Sequence, residues 1–367
     1  MKEERCINCV LPTNAIGIKF DNNNSCELCS SMEELPHNYN LDNKEEIEKY
    51  IEDIRELGKN KPYDCLVGLS GGRDSSYLLY LLVKKHNLRC MAAYHRTPYT
   101  PDEIDESVRA LTKKLNVPLV QMDISTKKHQ SFARRMMILW IDKKESIFAN
   151  LACAPCKQHN YEVYRVAKKH NISYIVFGGN KLETFHVGAG QSTKLKTKNT
   201  KQFSSLQRLK QSLIVGNRGF SLLLKHPKLI FDFPILFKAS ILYLNNSTTY
   251  LRTLYSDIKM LDYYYVAGYN EQKVINFLSD IGWKMPSNCN STWRADCSFN
   301  EIKNYVFKRE KGVTYVDAYL SNSIRANVLT RGEALKRVET EGKISKERLK
   351  VVCDLLKIPI SSFELAK

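Results

Sequence analysis

Three groups of residues in this chain are of a type and spacing that can do chemistry. The first is Cys6-Ile-Asn-Cys9 with Cys26-Glu-Leu-Cys29, two Cys-x-x-Cys pairs separated by sixteen residues. That spacing brings four thiolates around one tetrahedral zinc ion, in the closed shell that suits a structural site. In so short a segment metal binding largely determines folding. The second group is Ser70-Gly-Gly-Arg-Asp-Ser75. Gly71 and Gly72 let the backbone approach an anion, and the N–H groups of a helix that starts here point their positive dipole end at it. Ser70 and Ser75 add hydroxyl donors, and Arg73 lies within the same loop. Asp74 repels a bare phosphate, so it is read as a helix cap or as the holder of a magnesium ion that bridges phosphates. The third group is Cys153-Ala-Pro-Cys156. Thiols at a helix start have a lowered pKa and are natural ligands for an iron-sulfur cluster, or one acts as a nucleophile. Cys297, in the polar stretch Arg294-Ala-Asp-Cys297, is the preferred third thiolate, and Cys289 is the alternative.

Positioning these groups requires regular elements around them. The apolar run from Tyr63 to Leu69 reads as a buried strand, and the spacing of Leu78, Leu79, Leu81, Leu82 and Val83 as the helix that follows the serine-glycine loop. Residues 42 to 58 read as an amphipathic helix with Ile47, Ile51, Ile54 and Leu57 on one stripe. Arg89–Tyr94 is a second strand, Ile104–Leu115 a helix and Pro118–Met122 a third strand. The Cys153 helix runs to about Lys169, and Tyr174–Phe177 is a further strand. This alternation predicts an α/β fold, a doubly wound parallel sheet with right-handed crossovers. Ligands of such sheets sit beyond the carboxyl ends of the strands, where the strand order reverses. Tyr94, His95 and Arg96 end the second strand on that edge, which makes His95 a candidate for the adenine or ribose pocket. Asn270 is a plausible N-cap, Thr330 and Glu333 form a capping box, and Leu349, Val352, Leu355 and Leu356 make an apolar stripe, so the end of the chain is expected to be helical.

The 367 residues suffice for two or three units at ~150 residues each. The expected division is a ribbon over 1–40, a nucleotide-binding domain over 41–190, a basic insertion over 191–235 and a helical C-terminal region over 236–367. No apolar run reaches the ~20 residues of a membrane span, and Met1–Asn8 carries no signal-peptide core, so the expected location is the cytoplasm. Eleven cysteines in a reducing compartment point to metal or redox chemistry rather than to disulfides. The formal net charge of +17 predicts attraction to nucleic acid, to an anionic membrane or to an anionic small-molecule substrate. Much of that charge is concentrated in residues 190 to 230, read as an insertion near the mouth of the site.

Ser70-Gly-Gly-Arg-Asp-Ser75 resembles the signature of the PP-loop ATP pyrophosphatases. Members of that superfamily cleave ATP between the α and β phosphates and adenylate a carbonyl oxygen, which a nitrogen or sulfur nucleophile then displaces. The stretch Cys9-Val-Leu-Pro12, Ile18-Lys-Phe-Asp21 and the asparagine-rich turn before Cys26 is similar to the zinc ribbon of the N-acetyl sugar amidotransferases of surface-polysaccharide synthesis, and Gly282-Trp-Lys-Met-Pro286 with the tyrosine-rich segment before it looks like their C-terminal region. That resemblance implies a nucleotide-sugar acceptor and ammonia supplied by a partner glutaminase. Cys153 and Cys156 depart from the amidotransferase pattern. Their helix, with the following strand and Gly178-Gly-Asn-Lys-Leu-Glu183, resembles instead the PP-loop tRNA thiolases that hold an iron-sulfur cluster on three cysteines. In those enzymes the glycine turn faces ATP, which makes Gly178, Gly179, Asn180 and Glu183 nucleotide-site candidates and RNA or a small molecule the acceptor.

Overall fold

The computed structural model describes residues 3–30, 43–123, 126–183, 220–245 and 248–363. Its centre is a five-stranded parallel sheet: β1 (Cys65–Leu69), β2 (Cys90–Arg96), β3 (Leu119–Asp123), β4 (Tyr174–Phe177) and β5 (Lys259–Asp262), in the order β3-β2-β1-β4-β5. Val67 lies opposite Ala92 on one side and Val176 on the other, and Ile175 lies opposite Met260. All five residues of β1 are buried. That is why its sequence is a continuous apolar run rather than an alternation, since helices cover both faces. One cover is the helix Lys44–Gly58, whose Ile47, Ile51 and Ile54 face inward. Another is Arg73–Tyr80, which runs on as a π-helical turn over Leu81–Lys85.

The fold is the doubly wound parallel sheet expected from the alternation. The chain leaves β1 toward β2 and β3, then returns to lay β4 and β5 on the opposite side. The switch point therefore falls between β1 and β4, and the loop after each of them enters the crevice there.

Two elements were not anticipated. The helix Thr126–Lys143 buries Phe132, Met136, Met137 and Trp140, but its basic residues obscure the apolar period. The edge strand β5, Lys-Met-Leu-Asp, is only four residues long and shows no strand pattern of its own. Four helices, Asn300–Lys311, Tyr315–Arg325, Arg331–Glu341 and Lys346–Leu356, form the C-terminal region. Asn270 and Thr330 cap helices through their side chains, and a second capping box joins Thr314 and Asp317. The cores cross the expected boundaries. Val10 of the ribbon packs with the sheet core, and Trp140 and Phe148 share a core with Phe299, Val306, Leu349 and Val352. No described helix is long and apolar enough to cross a membrane. Of the expected basic insertion, residues 191–219 lie outside the described residues.

Candidate functional site

The loop after β1 turns sharply at Gly71, whose φ of +85° belongs to the left-handed region. A Cβ there would sit 2.6 Å from a methyl of Ile104, so both the backbone angle and the packing require glycine. Gly72 then caps the Arg73 helix in extended conformation. The two serine hydroxyls stand 3.3 Å apart, the Ser70 N–H donates to Ser75 Oγ, and the Gly72 N–H donates to Ser70 Oγ. Trp283 Nε1 donates to the Gly71 carbonyl at 2.9 Å and fixes the outer side of the turn. The result is a preshaped loop at a helix N-terminus, the geometry that receives a phosphate.

Asp74 does not cap this helix; it is held from three sides. Tyr269 OH donates to one carboxylate oxygen at 2.6 Å, Asn180 Nδ2 to the other at 3.2 Å, and Arg73 Nε lies 3.3 Å away. Tyr264 OH donates to its carbonyl. The tyrosine-rich segment thus reaches the loop with two hydroxyls. Burial pushes the Asp74 carboxyl up to about 6, with Glu183 and Glu271 adding to the rise and Arg73 and Tyr269 opposing it. A second half-buried acid stands opposite. Asp296 lies 3.1 Å from where a Cβ on Gly72 would be, and Ser70 hydrogen-bonds to it. Two carboxylates beside a phosphate-shaped loop fit an Mg²⁺-bridged polyphosphate better than a free anion.

Arg73, expected among the nucleotide-binding residues, is committed elsewhere. Its guanidinium is 2% exposed and binds Thr292 Oγ1 at 2.7 Å, Tyr319 OH at 2.9 Å and Glu271 at 2.6 Å. Gly178 and Gly179 follow β4 at the switch point, Gly178 against the Asp74 and Ser75 backbone and Gly179 against Asp262. Asn180 fixes the turn by accepting from the Leu182 N–H. Glu183 accepts from Trp293 Nε1 at 3.1 Å and pairs with Arg294 at 3.2 Å, which ties the glycine turn to the segment that carries Asp296.

The second chemical centre adjoins this loop. Cys153 precedes a 3₁₀ turn, Ala154–Lys157, that leads into the helix Gln158–Lys169. Cys297 follows Asp296 directly. Cys153 and Cys297 both disfavour ionisation of Cys156, Cys153 also disfavours that of Cys297, and Tyr99 senses all three. Burial, with the neighbouring thiols, holds Cys156 well above the usual thiol range and Cys297 at about 12. The helix dipole does not win in the protein alone; Lys157 and Lys303 lean the other way on Cys156. Buried thiols in a cationic setting become thiolates when a metal takes the proton's place. Cys289 stands apart from this group, donating to the Ser291 carbonyl and contacting Arg348.

His95 reaches no nucleotide-loop residue by hydrogen bonding. Its ring packs 4.5 Å from that of His159, and both ring nitrogens are buried without a hydrogen-bond partner. Burial lowers it to about 4, as it does His129, whose Nε2 lies 3.5 Å from Cys156 Sγ. The carboxyl edge of β2 is therefore a neutral imidazole wall beside the thiols. Sequence reasoning passed over His129, His159, Tyr269 and Glu271. Each is a common residue in an ordinary helix or loop context, and only the fold brings it to the site.

The ribbon cysteines form a distinct centre. The four Sγ atoms lie within 4.8 Å of one another and all four residues are buried. A tetrahedral ion with metal–sulfur bonds of about 2.3 Å has sulfur–sulfur edges of about 3.8 Å. Here Cys9–Cys26 is 3.7 Å and Cys6–Cys29 is 4.0 Å, so the set fits one tetrahedral ion. The Cys26 N–H donates to Cys6 Sγ, and Arg331 donates to the Cys6 and Cys9 carbonyls.

No protein-family model matches the sequence, and no curated protein does. Seventeen chains among solved structures match. One is the NMN synthetase from Francisella tularensis, 13% identical over 89% of this chain and 98% of that chain, with a TM-score of 0.38. Another is the U34-tRNA thiolase NcsA from Methanococcus maripaludis, described with its 4Fe-4S cluster, 16% identical over the whole of both chains, with a TM-score of 0.31.

Proposed function

We propose that this chain is an ATP pyrophosphatase of the PP-loop kind. Ser70, Gly71, Gly72 and Ser75 hold the phosphates of ATP, and Asp74 with Asp296 would hold a magnesium ion that supplies charge neutralisation there. A carbonyl-type oxygen of the acceptor attacks the α-phosphorus, pyrophosphate departs, and a second nucleophile displaces AMP. Donors and metal fixed before the reaction stabilise the charge that develops on the leaving pyrophosphate. The observation that carries this reading is the pair of half-buried carboxylates facing a glycine-serine loop at the switch point of the sheet. It is tested by ATP–pyrophosphate exchange in Asp74→Asn and Asp296→Asn. Loss of exchange in both variants, with unchanged circular dichroism, is expected; undiminished exchange refutes the assignment.

For the acceptor, the ribbon supports one reading by resemblance without fixing it. Its likeness to the sugar amidotransferases supports zinc on Cys6, Cys9, Cys26 and Cys29, an N-acetyl sugar nucleotide as acceptor and ammonia from a glutaminase as nucleophile, in the cytoplasm. A second reading is favoured by one specific observation: Cys153 and Cys297, the latter next to Asp296, lie near enough to Cys156 to raise it, although the three sulfurs are not gathered within 4.8 Å as those of the ribbon are. Three thiolates hold an iron-sulfur cluster with one iron left open, which supports sulfur transfer to tRNA or a small molecule. Metal and acid-labile sulfide content of protein purified without oxygen separates the two. Zinc alone supports amidotransfer, whereas iron and sulfide lost in Cys297→Ser support sulfur transfer.

A further inference from the structure

We propose that the segment 220–245 docks this protein on the surface of an anionic membrane. The inference goes beyond the ATP chemistry and does not rest on it.

Within this segment large apolar side chains point outward in numbers unusual for a protein surface. Phe231 is 84% exposed, Leu224 67%, Phe220 64% and Phe237 54%, with Ile230, Phe233 and Ile241 also on the surface. Phe233, Phe237 and Ile241 recur every four residues, so they form one outward stripe of the helix Phe233–Asn245, and the first two rings stack at 5.7 Å. The opposite face of that helix is already used. Ala239 is buried, Leu236, Leu242 and Tyr243 pack into the core that includes Cys153, and Tyr243 OH donates to the Asn150 carbonyl. The stripe is therefore left uncovered by the elements among the described residues. A contiguous apolar surface of this kind marks a place where water is removed by a partner.

Charge selects the partner. Among the described residues 220–245 there are three lysines, Lys225, Lys228 and Lys238, and one acid, Asp232, which Arg135 neutralises. Lys225 pairs with Glu145, while Lys228 and Lys238 are exposed next to the apolar stripe. Exposed phenylalanine and aliphatic side chains sink among acyl chains, while Lys238, the one cation of the helix Phe233–Asn245, and Lys228 before it meet lipid phosphates. A second copy of the same face meets like charge. A nucleic acid satisfies the lysines but gives Leu224, Ile230 and Ile241 nothing to bury against. Because the inner face of the helix packs on the 3₁₀ turn with Cys156, docking also sets the thiol centre directly behind the membrane surface.

The test is flotation of the full chain with vesicles of phosphatidylcholine alone or mixed with phosphatidylglycerol. Binding is expected only to the mixed vesicles. It is expected to fall at least about a hundredfold in Phe231→Ser/Phe237→Ser, as burial of two phenylalanines demands. In roughly 0.5 M salt, where charges are screened within about 4 Å, it should fall again. Lys228→Glu/Lys238→Glu tests the charge without touching the stripe and should also weaken binding. All four positions are exposed, so ATP–pyrophosphate exchange without vesicles stays at the wild-type level, and that readout separates failure of docking from failure of the ATP assignment. Docking is overturned by no binding to the mixed vesicles or by equal binding of the phenylalanine variant. It is also overturned if this face instead retards RNA in a salt-sensitive, phenylalanine-independent way, or if the chain is a dimer that the phenylalanine variant dissociates.

Discussion

Glu271→Gln removes one buried charge from the back of the anion loop, and the consequence can be worked from the contacts. Glu271 receives Arg73 at 2.6 Å and Arg337 at 2.6 and 3.0 Å, and Arg337 continues to Glu341. Burial works to raise its carboxyl, but Arg73 and Arg337 outweigh it and hold the group at about 2. Breaking a buried pair from one side costs ~3–5 kcal/mol, because the remaining charge is left uncompensated. Glutamine keeps one acceptor oxygen and Arg337 keeps Glu341, so the lower end applies, about 3 kcal/mol. With an unfolding entropy of ~2.1 cal/mol/K per residue, that lowers the melting temperature by about 4 °C in a chain of this length. The pH sign follows from the depressed pKa. The folded value lies below the ordinary 4.5, so the stability Glu271 contributes is complete above that value and is lost as pH falls toward about 2. Thermal melts of both proteins from neutral to acid pH, with the KM for ATP measured beside them, check the reasoning. The gap should be constant near neutrality and close in acid, and the KM should rise because Arg73 braces Asp74. A variant that melts within about 1 °C of wild type, or a gap that persists at acid pH, would refute it.

Gly71→Ala should lose ATP binding, seen by calorimetry, and cost about 1–3 kcal/mol, since it places a side chain at φ +85° against Ile104. Cys297→Ser should impair any metal or sulfur chemistry of the thiol centre while Cys289→Ser leaves metal content unchanged, because Cys289 faces Ser291 and Arg348 rather than Cys153; metal analysis of the two purified variants decides this. Stripping the metal from the ribbon with a chelator should release one ion per chain and lower the melting temperature of the whole protein rather than of a detached segment, since Val10 packs with the sheet core; a separate, earlier transition for the ribbon would contradict that.

Much of this was legible before the fold was known, for identifiable reasons. The strand Cys65–Leu69, the loop and the Arg73 helix announce themselves because apolar run, glycines and helical spacing agree in register over twenty residues. The four ribbon cysteines are legible because tetrahedral coordination restricts their spacing. What stayed hidden depends on contacts between distant parts of the chain. Tyr269 and Asp74 are far apart in sequence, and nothing in Tyr263-Tyr-Tyr-Val-Ala-Gly-Tyr269 distinguishes a carboxylate donor from a core ring. Arg73 was misread for a related reason. A cation in an anion loop looks like a phosphate ligand until Glu271, Thr292 and Tyr319 arrive from the C-terminal region to take it. His95 was read as a nucleotide contact from its place on the strand edge, and its ring turns instead to His159.

The helix Tyr315–Arg325 explains why a metal ribbon and an anion loop belong to one structure. From one side it holds the ribbon: Asp317 pairs with Arg5 at 2.7 Å, Ser321 Oγ accepts from the Val10 N–H, and Arg325 reaches Cys29 Sγ. From the other it holds the site: Tyr319 OH takes Arg73, its ring stacks on Trp293 at 4.7 Å, and Asn322 donates to the Leu182 carbonyl beside Glu183. Nine of its residues, Tyr315 to Ser323, are buried, so neither set of contacts can shift without the other unless the helix itself bends. The capping box of Thr314 and Asp317 resists that at the end nearest the ribbon, with the Thr314 N–H donating to Asp317 at 2.7 Å while the same carboxylate pairs with Arg5. An ion bound at the ribbon is thereby mechanically continuous with the orientation of Arg73, and through Arg73 with Asp74. Under the proposed ATP chemistry, the four cysteines would reach the site through this one helix, without contributing an atom to it.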